Sequence, residues 1–541
     1  MKKFLLLTAL FGAALTAAAQ WPTNMDESPV LITPSGITDY GNYQATSPDG
    51  TVYTMQIVPR NFDEAGRTAL RYILSICGPD GVMKTATDQG AEGAIEVCYT
   101  PNRSWTVVSD PLHIDRDGNP IIIVEDCRNS AEDSKDLSFT VYKFDKDGNK
   151  IWEHDLNEGM TVEEAASCDM AQTTDGGYVF CYCVYDYQTQ LQHIELEKLD
   201  KDGNTLWHKV MKDSKSAYNW PILVETDNND AILAYTFGTS MYVYTARIDE
   251  NGNEKWSTRI YRGGFDTTPL WTHFHAIPDV KGGVLVNWRD DREYDGWWKN
   301  YVNHVDAEGN IAYPNEMDAV RVAYLEDGIS IAGASIAHND QEGTSFVAYR
   351  FYAQKSQDYE GLGVQKIADN GELLWDAEGI NVEDLSFDLE VANVQVQCAE
   401  DGGCVVFYQL GEGNNVTGPK ENRAAKYNKD GVREWNIKLD NWDTYKVSLL
   451  STPLIDGQYW IVSWEDRLDG PSDMGNCYDR YAIRLYTNGE RQPAPEAIAH
   501  TSLDKGNGAV QYFNAAGQRI AAPAQGVNII KTSDGVRKVV R

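Results

Sequence analysis

A nine-residue phrase recurs six times along the chain, each time at the end of an apolar stretch. The copies are FDKDGNKIW (144–152), LDKDGNTLW (199–207), IDENGNEKW (248–256), VDAEGNIAY (305–313), IADNGELLW (367–375) and YNKDGVREW (427–435). Such regular repetition is typical of architectures in which each repeat is one supersecondary unit that packs on its neighbours. The phrase therefore constrains the fold before any single residue is interpreted.

Each repeat contains two predicted hairpin turns. Inner turns such as Asp117-Gly118-Asn119 alternate with outer turns. The outer turns centre on glycines 49 to 67 residues apart, namely Gly81, Gly148, Gly203, Gly252, Gly309, Gly371, Gly431 and Gly489. Gly, Asn and Asp tolerate the positive φ of tight hairpins. Two hairpins per repeat predict four antiparallel strands.

The strands after the inner turns are almost wholly apolar, as in YVFCYCV (178–184) and CVVFY (404–408). A continuous apolar run of this length predicts burial on both faces. The fold class is therefore all-β, a propeller of eight four-stranded blades. Seven blades is the alternative, because the first unit is irregular and has Thr85 in place of the aromatic residue. We expect the Trp of each phrase at a seam between blades.

The ring should close through the N-terminal segment. The last unit continues after Gly489 with Pro493 and Pro495, and proline opposes a strand there. The short apolar run 30–33 (VLIT) has no repeat of its own. We predict that it completes the last blade.

The two ends of the chain predict export. Residues 1–19 have the charged start, apolar stretch and small-residue cleavage site of a signal peptide. The predicted domains are this signal, the propeller over 20–490, a linker over 491–506 and a C-terminal domain over 507–541. No later segment is apolar and long enough to predict a transmembrane helix.

The charge of the chain excludes one class of partner. The net charge is −34, which repels phosphate backbones, so we expect no nucleic acid as a partner. The general interpretation is solubility outside the cell. Attraction of cations or basic partners is the more specific one.

The nine cysteines leave at least one thiol unpaired within the chain. Cys398 and Cys404 flank a predicted turn, and Cys168 should face Cys181 or Cys183 across another. Both cross-strand disulfides and small buried thiols fit these positions. There is no C-x-x-C pair, so the cysteines do not predict a metal site.

The repeats resemble secreted bacterial repeats that end in D-x-x-G-N-x-L-W and carry a W-x-D-x-R-like segment. That segment appears here as Trp464-Glu465-Asp466-Arg467, Trp288-Arg289-Asp290-Asp291-Arg292 and Glu125-Asp126-Cys127-Arg128. The resemblance implies a propeller-like architecture. It says almost nothing about activity, because propellers carry many unrelated functions.

The C-terminus resembles the type A C-terminal sorting domain of the type IX secretion system. The matching positions are Gly517, Arg519, Gly526 and Lys538. The resemblance implies a small β-sandwich and the type IX secretion machinery as a partner. It also implies passage through the periplasm of a Gram-negative bacterium, followed by secretion or display on the outer-membrane surface.

The acidic turns do not predict a metal or cofactor site. A helix–loop–helix calcium loop with Gly148 at its sixth position would begin at Lys143, which cannot be a ligand. The Asp-box of sialidases has a shorter spacing from glycine to tryptophan. Quinone-dependent dehydrogenases carry an adjacent Cys-Cys pair that this chain lacks. We therefore interpret the turns as scaffold and expect no cofactor.

One unit contains the strongest candidate binding residues. They are paired aromatic residues and carboxylates on either side of a predicted inner turn, namely His273, His275, Trp288, Asp290, Asp291, Tyr294, Trp297 and Trp298. Aromatic rings beside carboxylates suit stacking and hydrogen bonding to sugars. The alternative is that Trp288 is core and the rest packs between blades. The two histidines are either packed side chains or, with Asp290, metal ligands, and we favour packing.

No catalytic triad, phosphate loop or carboxylate pair stands out, so no catalytic residue is predicted. The leading hypothesis is a non-enzymatic, secreted or surface-displayed propeller that binds a glycan or a host protein. The alternatives are a glycan-cleaving enzyme with its site at the central channel, and a structural protein of the surface layer.

Overall fold

A computed structural model describes two compact units, Met1–Arg491 and Gln492–Arg541. The described residues are 20–39, 41–60, 69–100, 110–126, 138–156, 164–186, 191–214, 221–237, 242–261, 274–279, 281–292, 296–353, 359–412, 418–467, 476–493, 511–514, 519–520, 527–532 and 535–540.

The first unit begins with two short strands, β1 (Val30–Leu31) and β2 (Thr38–Asp39), and continues as antiparallel four-stranded blades. Blade 1 contains β3 (Gly41–Thr46), β4 (Val52–Arg60), β5 (Ala69–Cys77) and β6 (Ile95–Thr100). Blade 2 contains β7 (Leu112–Ile114), β8 (Pro120–Asp126), β9 (Ser138–Phe144) and β10 (Lys150–Asp155). Blade 3 contains β11 (Glu164–Gln172), β12 (Tyr178–Asp186), β13 (Leu191–Leu199) and β14 (Thr205–Ser214). Blade 4 contains β15 (Ile222–Glu225), β16 (Ala231–Phe237), β17 (Tyr242–Ile248) and β18 (Glu254–Arg259).

The second half of the ring repeats this order. Blade 5 contains β19 (His275–Asp279), β20 (Gly283–Asp290), β21 (Lys299–Val305) and β22 (Val320–Arg321). Blade 6 contains β23 (Ile329–Asn339), β24 (Thr344–Ala353), β25 (Tyr359–Ala368) and β26 (Ile380–Phe387). Blade 7 contains β27 (Leu389–Cys398), β28 (Cys404–Glu412), β29 (Lys420–Tyr427) and β30 (Arg433–Lys438). Blade 8 contains β31 (Lys446–Ser451), β32 (Tyr459–Arg467) and β33 (Asn476–Tyr486).

The prediction of eight four-stranded blades is confirmed. First strands of neighbouring blades lie against each other, as β23 does against β27 and β27 against β31, so they surround the axis of the ring. The helical residues among those described form two 3-10 turns, Gly90–Gly93 and Glu316–Asp318. Among the described residues, no helix combines the length and apolarity needed to cross a membrane.

The N-terminal segment closes the ring, as predicted. Val30 pairs with Ala482 and Leu31 with Tyr481, so β1 supplies the fourth strand of blade 8. The pairing continues beyond the strand, because Ile32 N–H donates to the Arg480 carbonyl at 2.9 Å. β2 pairs with the beginning of β33 as well. Two segments of the N-terminus therefore hold the last blade to the first.

The second strand of each blade is buried on both faces, also as predicted. In β12, Phe180 and Tyr182 pack with blade 2, whereas Cys181 and Cys183 pack with blade 4. Each such strand thus contributes to two inter-blade cores. This is why its sequence is a continuous apolar run rather than an alternating one.

The tryptophans of the repeated phrase lie at the seams. Trp207 Nε1 donates to the Glu250 carbonyl of the next turn at 2.8 Å, and Trp256 Nε1 donates to the Ala307 carbonyl at 3.0 Å. Gly203 has φ +85°, and a Cβ there would lie 2.8 Å from a ring carbon of Trp152. Glycine at this position both permits the turn and admits the indole of the preceding blade.

The acidic turns are closed by their own carboxylates. Asp200 Oδ1 accepts from the N–H groups of Asp202 and Asn204, both at 2.9 Å. The Asn204 side chain donates to the same carboxylate. The four other acidic turns of this kind repeat the pattern at Asp115, Asp145, Asp249 and Asp306. Because backbone donors occupy these carboxylates, the turns act as scaffold.

The inner and outer hairpin turns lie at the same end of the strands, and we call this side the turn face. Here an acidic residue of the inner turn pairs with a Lys or Arg on the third strand in blades 2, 3, 4, 6 and 7, as Asp230 does with Arg247 at 2.7 Å. Arg247 also donates to the carbonyls of Gly282 and Ala307 in blade 5. The same base therefore completes its own turn and holds the next blade.

Of the two alternatives for the facing cysteines, disulfides or buried thiols, the structure contains thiols. Cys398 lies directly opposite Cys404 across β27 and β28, and both are free. Cys168 and Cys181 are buried and free as well. Burial raises the pKa of Cys398 to about 12, so this thiol stays protonated.

The second unit is a four-stranded antiparallel sheet in the order β35, β34, β36, β37. Its strands are β34 (Gln511–Asn514), β35 (Arg519–Ile520), β36 (Val527–Thr532) and β37 (Gly535–Val540). Of the four predicted sorting positions, Arg519 lies in β35 and Lys538 in β37. Gly517 and Gly526 lie outside the described residues, and so do the signal-peptide residues 1–19.

Candidate functional site

The face opposite the turns does not repeat from blade to blade. Here the second strand of each blade ends, for example at Asp290, Glu412 and Arg467. We call it the open face. The search for a site concentrates here because strand ends and connections on one side of a propeller carry its variable residues.

Two of the predicted binding residues are internal to blade 5. Trp288 is fully buried, and its Nε1 donates to Asp290 Oδ2 at 2.9 Å. Asp290 also accepts from Arg292 Nε at 2.9 Å and from Nη2 at 2.7 Å. The Arg292 guanidinium lies 3.4 Å from the ring centroid of Tyr301. This cluster holds the end of the blade, which agrees with the alternative that Trp288 is core.

The remaining predicted residues have different surroundings. Asp291, Trp297 and Trp298 are partly exposed, and Asp291 accepts from Gly296 N–H at 3.1 Å. His275 begins the innermost strand of its blade and is partly open to solvent. Desolvation by the surrounding protein lowers the pKa of its imidazole. His273 and Tyr294 lie outside the described residues. Among the described residues no group of three metal-ligating side chains comes together.

A belt of buried and partly exposed charges crosses the open face from blade 6 to blade 8. It begins with Arg350, whose Nη1 donates to the Val391 carbonyl at 2.9 Å and lies 4.0 Å from Glu360. Burial raises the pKa of Glu360. The next pair joins Glu390 to Lys420 at 2.8 Å. The Arg350 bond thus joins blade 6 to blade 7, whereas the Glu390–Lys420 pair lies within blade 7.

The belt continues through the connection between blades 7 and 8. Lys446 is fully buried, donates to the Lys420 carbonyl at 2.9 Å and lies 3.2 Å from Asp440 Oδ1. Asp466 accepts from Thr444 Oγ1 at 2.8 Å. Burial raises the pKa of Asp466 to about 6, against the opposing influence of Thr444 and Lys446. A carboxyl with this pKa exchanges its proton near neutral pH.

A cavity of about 820 Å³ opens beside this belt. Ionic side chains and one indole line it, among them Lys420, Glu421, Lys438, Asp440, Trp442 and Asp443. Trp442 is partly exposed and packs edge-on against Tyr481, with ring centroids 4.8 Å apart. The size lies within the range of about 300–1,000 Å³ that small-molecule sites occupy. An oriented indole among carboxylates suits a polyhydroxylated ligand.

A second cavity, of about 530 Å³, lies on the turn face between blades 7 and 8. Its charged lining is internally paired, since Lys426 lies 2.7 Å from both Asp401 and Glu434. Trp435, which also lines it, packs against Gly489 as a seam tryptophan. Because its indole already serves as a seam tryptophan, this cavity is the weaker candidate.

The sequence analysis did not single out Trp442, Asp440 or Arg350. Trp442 belongs to the connection 439–445 between two repeats (LDNWDTY), which no turn motif marks. Aromatic residues also occur in other connections, such as 215–221 and 260–274, so composition did not distinguish this one. Arg350 lies within β24, directly after the apolar run 345–349, and only the fold brings it to β27 of the next blade.

Comparisons with known proteins find solved structures that are similar at low sequence identity. No known protein-family profile matches the sequence, and no curated protein is similar to it. The polysaccharide lyase Uly1 is similar in structure at 11% identity over 71% of this chain and 92% of that chain, with a TM-score of 0.39. The β-propeller domain of the Trilobed protease from Pyrococcus furiosus is 9% identical over 75% and 97% of the two chains, with a TM-score of 0.37. The α-L-arabinanase of Penicillium chrysogenum is 11% identical over 86% and 98%, with a TM-score of 0.34.

Proposed function

We propose that the mature protein is a secreted or surface-displayed β-propeller that binds a glycan in the cavity beside Trp442. The cavity itself is the observation that carries the proposal. It combines an indole face with carboxylates and ammonium groups whose positions are held by the buried belt. Aromatic stacking with convergent hydrogen-bonding groups is how proteins recognise sugar rings.

Glycan binding is tested on arrays and by calorimetry with the full mature chain. Trp442→Ala should abolish or reduce binding at least about tenfold, because it removes the stacking surface. Trp442→Phe should retain part of the affinity. Trp297→Ala and Trp298→Ala serve as matched variants on blade 5. If they abolish binding while Trp442→Ala does not, the cavity beside Trp442 is the wrong site.

A glycan-cleaving enzyme is the second candidate function. The observation in its favour is the raised pKa of Asp466, since a carboxylic acid that holds a proton near neutral pH can serve as a general acid. Turnover of polysaccharides by the purified protein, lost in Asp466→Asn, would establish it. Turnover without any detectable binding on arrays would contradict the binding proposal.

The proposed route to the surface is the general secretory pathway followed by the type IX secretion machinery. The signal-like residues 1–19 and the sorting-like residues 507–541 support it. Deletion of 507–541 should leave the propeller in the periplasm, as measured by cell fractionation. Normal surface display of the truncated protein would refute the assignment.

A further inference from the structure

The cavity beside Trp442 is lined by more negative than positive groups. Its charged lining consists of two lysines and four carboxylates, namely Lys420, Lys438, Glu412, Glu421, Asp440 and Asp443. The chain as a whole carries a net charge of −34. Charged clefts raise the local concentration of ligands of the opposite sign. The cavity therefore favours a positively charged ligand over an anionic one.

The positive groups of the lining already have carboxylate partners. Lys420 is buried, and its Nζ lies 2.8 Å from Glu390 Oε1. Lys438 pairs with Glu421. Glu421 also pairs with Arg423 at 2.7 Å, but carboxylates remain in excess when Glu390, Arg423 and the buried Lys446 are counted with the lining. The lysines therefore do not turn the cavity into an anion site.

Two carboxylates of the lining are not used by the scaffold. Glu412 ends β28 and Asp443 directly follows Trp442, and both are exposed. Neither forms an ion pair with a described residue. Asp440, in the same lining, is buried, lies 3.2 Å from Lys446 and accepts from Trp442 N–H at 2.9 Å. Asp440 thus holds the connection in place, whereas Glu412 and Asp443 keep their oxygens for water or a ligand.

The indole of Trp442 is also without a cation of its own. The nearby Lys420 Nζ and the Arg467 guanidinium each lie 5.7 Å from the ring centroid of Tyr445. No cation of the described residues lies over the ring of Trp442 in the same way. An ammonium group is attracted to the face of an indole, and tryptophan is the aromatic residue that binds cations most strongly. Trp442 with Asp443 and Glu412 therefore offers an aromatic face beside two carboxylates.

We propose that the cavity beside Trp442 binds an amino sugar whose amine is free and positively charged. This inference rests on the proposed glycan-binding function and names the class of glycan. The ammonium lies against the indole and donates hydrogen bonds to Asp443 and Glu412, which are stronger than neutral ones because both partners are charged. N-acetylation of the amine removes the charge and with it both kinds of contact.

The test is calorimetry on the full mature protein with glucosamine oligosaccharides and with the same oligosaccharides after N-acetylation. A mildly acidic buffer keeps the free amine protonated. The amine form should bind about tenfold more tightly than the acetylated form, and added salt should reduce this preference. Asp443→Asn and Glu412→Gln should each weaken binding of the amine form about threefold, and together about tenfold, without changing that of the acetylated form.

Glu400→Gln is the matched control. Glu400 is an exposed carboxylate that lines the cavity on the turn face together with the indole of Trp435. Its substitution removes the same charge and should leave binding unchanged. Thermal unfolding checks that all variants fold. Equal binding of the amine and acetylated forms, or an unaffected Asp443→Asn and Glu412→Gln double variant, would overturn the inference.

Further outcomes separate this inference from the proposed function. Binding of neutral glycans that depends on Trp442, with no preference for a free amine, leaves the proposed function intact and rejects the amino-sugar assignment. Absence of binding to any glycan on the array rejects the proposed function. Binding of poly-lysine with the same dependence on Asp443 and Glu412 would replace the amino sugar by a basic protein partner.

Discussion

The turn face and the open face of this propeller use polar residues in opposite ways. On the turn face, carboxylates such as Asp115 and Asp230 each bind a base that is buried nearby and backbone donors or hydroxyls of their own turn. On the open face, Asp466 is buried with a raised pKa, and Arg289 is held by two backbone carbonyls, with no carboxylate of the described residues paired to it. Polar groups that satisfy one another build a scaffold, whereas those left incompletely satisfied are available to a ligand.

Equivalent positions around the ring show the same contrast in another form. Toward the open face, the second strand of each blade has one last side chain that faces the next blade. It belongs to Cys183 in blade 3 and to Thr236 in blade 4. In blades 6 and 8 it is Arg350 and Glu465. Cys183 adds to the core between blades. In contrast, Arg350 donates to the Val391 carbonyl, and Glu465 accepts a hydrogen bond from Arg480. Blade 2 has Glu125 at the same position, so charged residues occur there in both halves of the ring.

The largest expected effect comes from breaking a turn-face ion pair. Asp230→Ala leaves Arg247 buried without its carboxylate, which should cost about 3–5 kcal/mol of unfolding free energy. Asp466→Asn on the open face should cost little at neutral pH, because burial already disfavours the charged form. Urea unfolding of both variants measures the difference. Equal destabilisation would break the contrast between the faces.

The next effect concerns two tryptophans. Trp207→Ala removes a partly buried seam indole and its hydrogen bond to Glu250, and should cost about 2–3 kcal/mol. Trp442→Ala, on the open face, should lower stability by less than about 1 kcal/mol while removing glycan binding. Unfolding midpoints and calorimetry on the same samples give both readouts. A seam variant that folds normally but loses binding would show that the faces are not independent.

The third comparison concerns a pair of opposite pH dependences. The pKa of Asp466 is raised to about 6, above that of an unfolded carboxyl, so its contribution is full at low pH and is lost as pH rises toward 6. The unfolding free energy of the native chain should therefore fall by about 2–3 kcal/mol between about pH 4 and pH 6. Asp466→Asn should remove this decline.

Asp115 should behave in the reverse sense. Burial alone raises its pKa, but Lys143 and Asn119 outweigh burial and lower it, so its stabilising contribution is present above the unfolded pKa and is lost in acid. The loss of stability caused by Asp115→Asn should therefore disappear below about pH 4. Thermal unfolding between about pH 3 and pH 7 compares the two variants. Slopes of the same sign would contradict the proposed difference between the faces.

Much of the fold was predictable because the repeat carries local information. Gly203 marks both a positive-φ turn and the contact with Trp152, so spacing of the glycines counts the blades. Closure by 30–33 followed from the absence of a strand after Gly489. The binding residues were less predictable. In the sequence, Trp288 is an aromatic residue close to carboxylates, as an exposed sugar-binding residue would be, but its strand is buried between two blades.

The sequence by itself determined the eight-bladed ring, its turns and the seam tryptophans, because these depend on residues within one repeat or on the same residue in the next. Only the tertiary structure decided which polar side chains meet on the open face. Arg289 is separated from Ile331 by a blade boundary, and Lys446 of blade 8 donates to the Lys420 carbonyl of blade 7. Contacts of this kind depend on how neighbouring blades pack, and no periodic pattern in the chain records them.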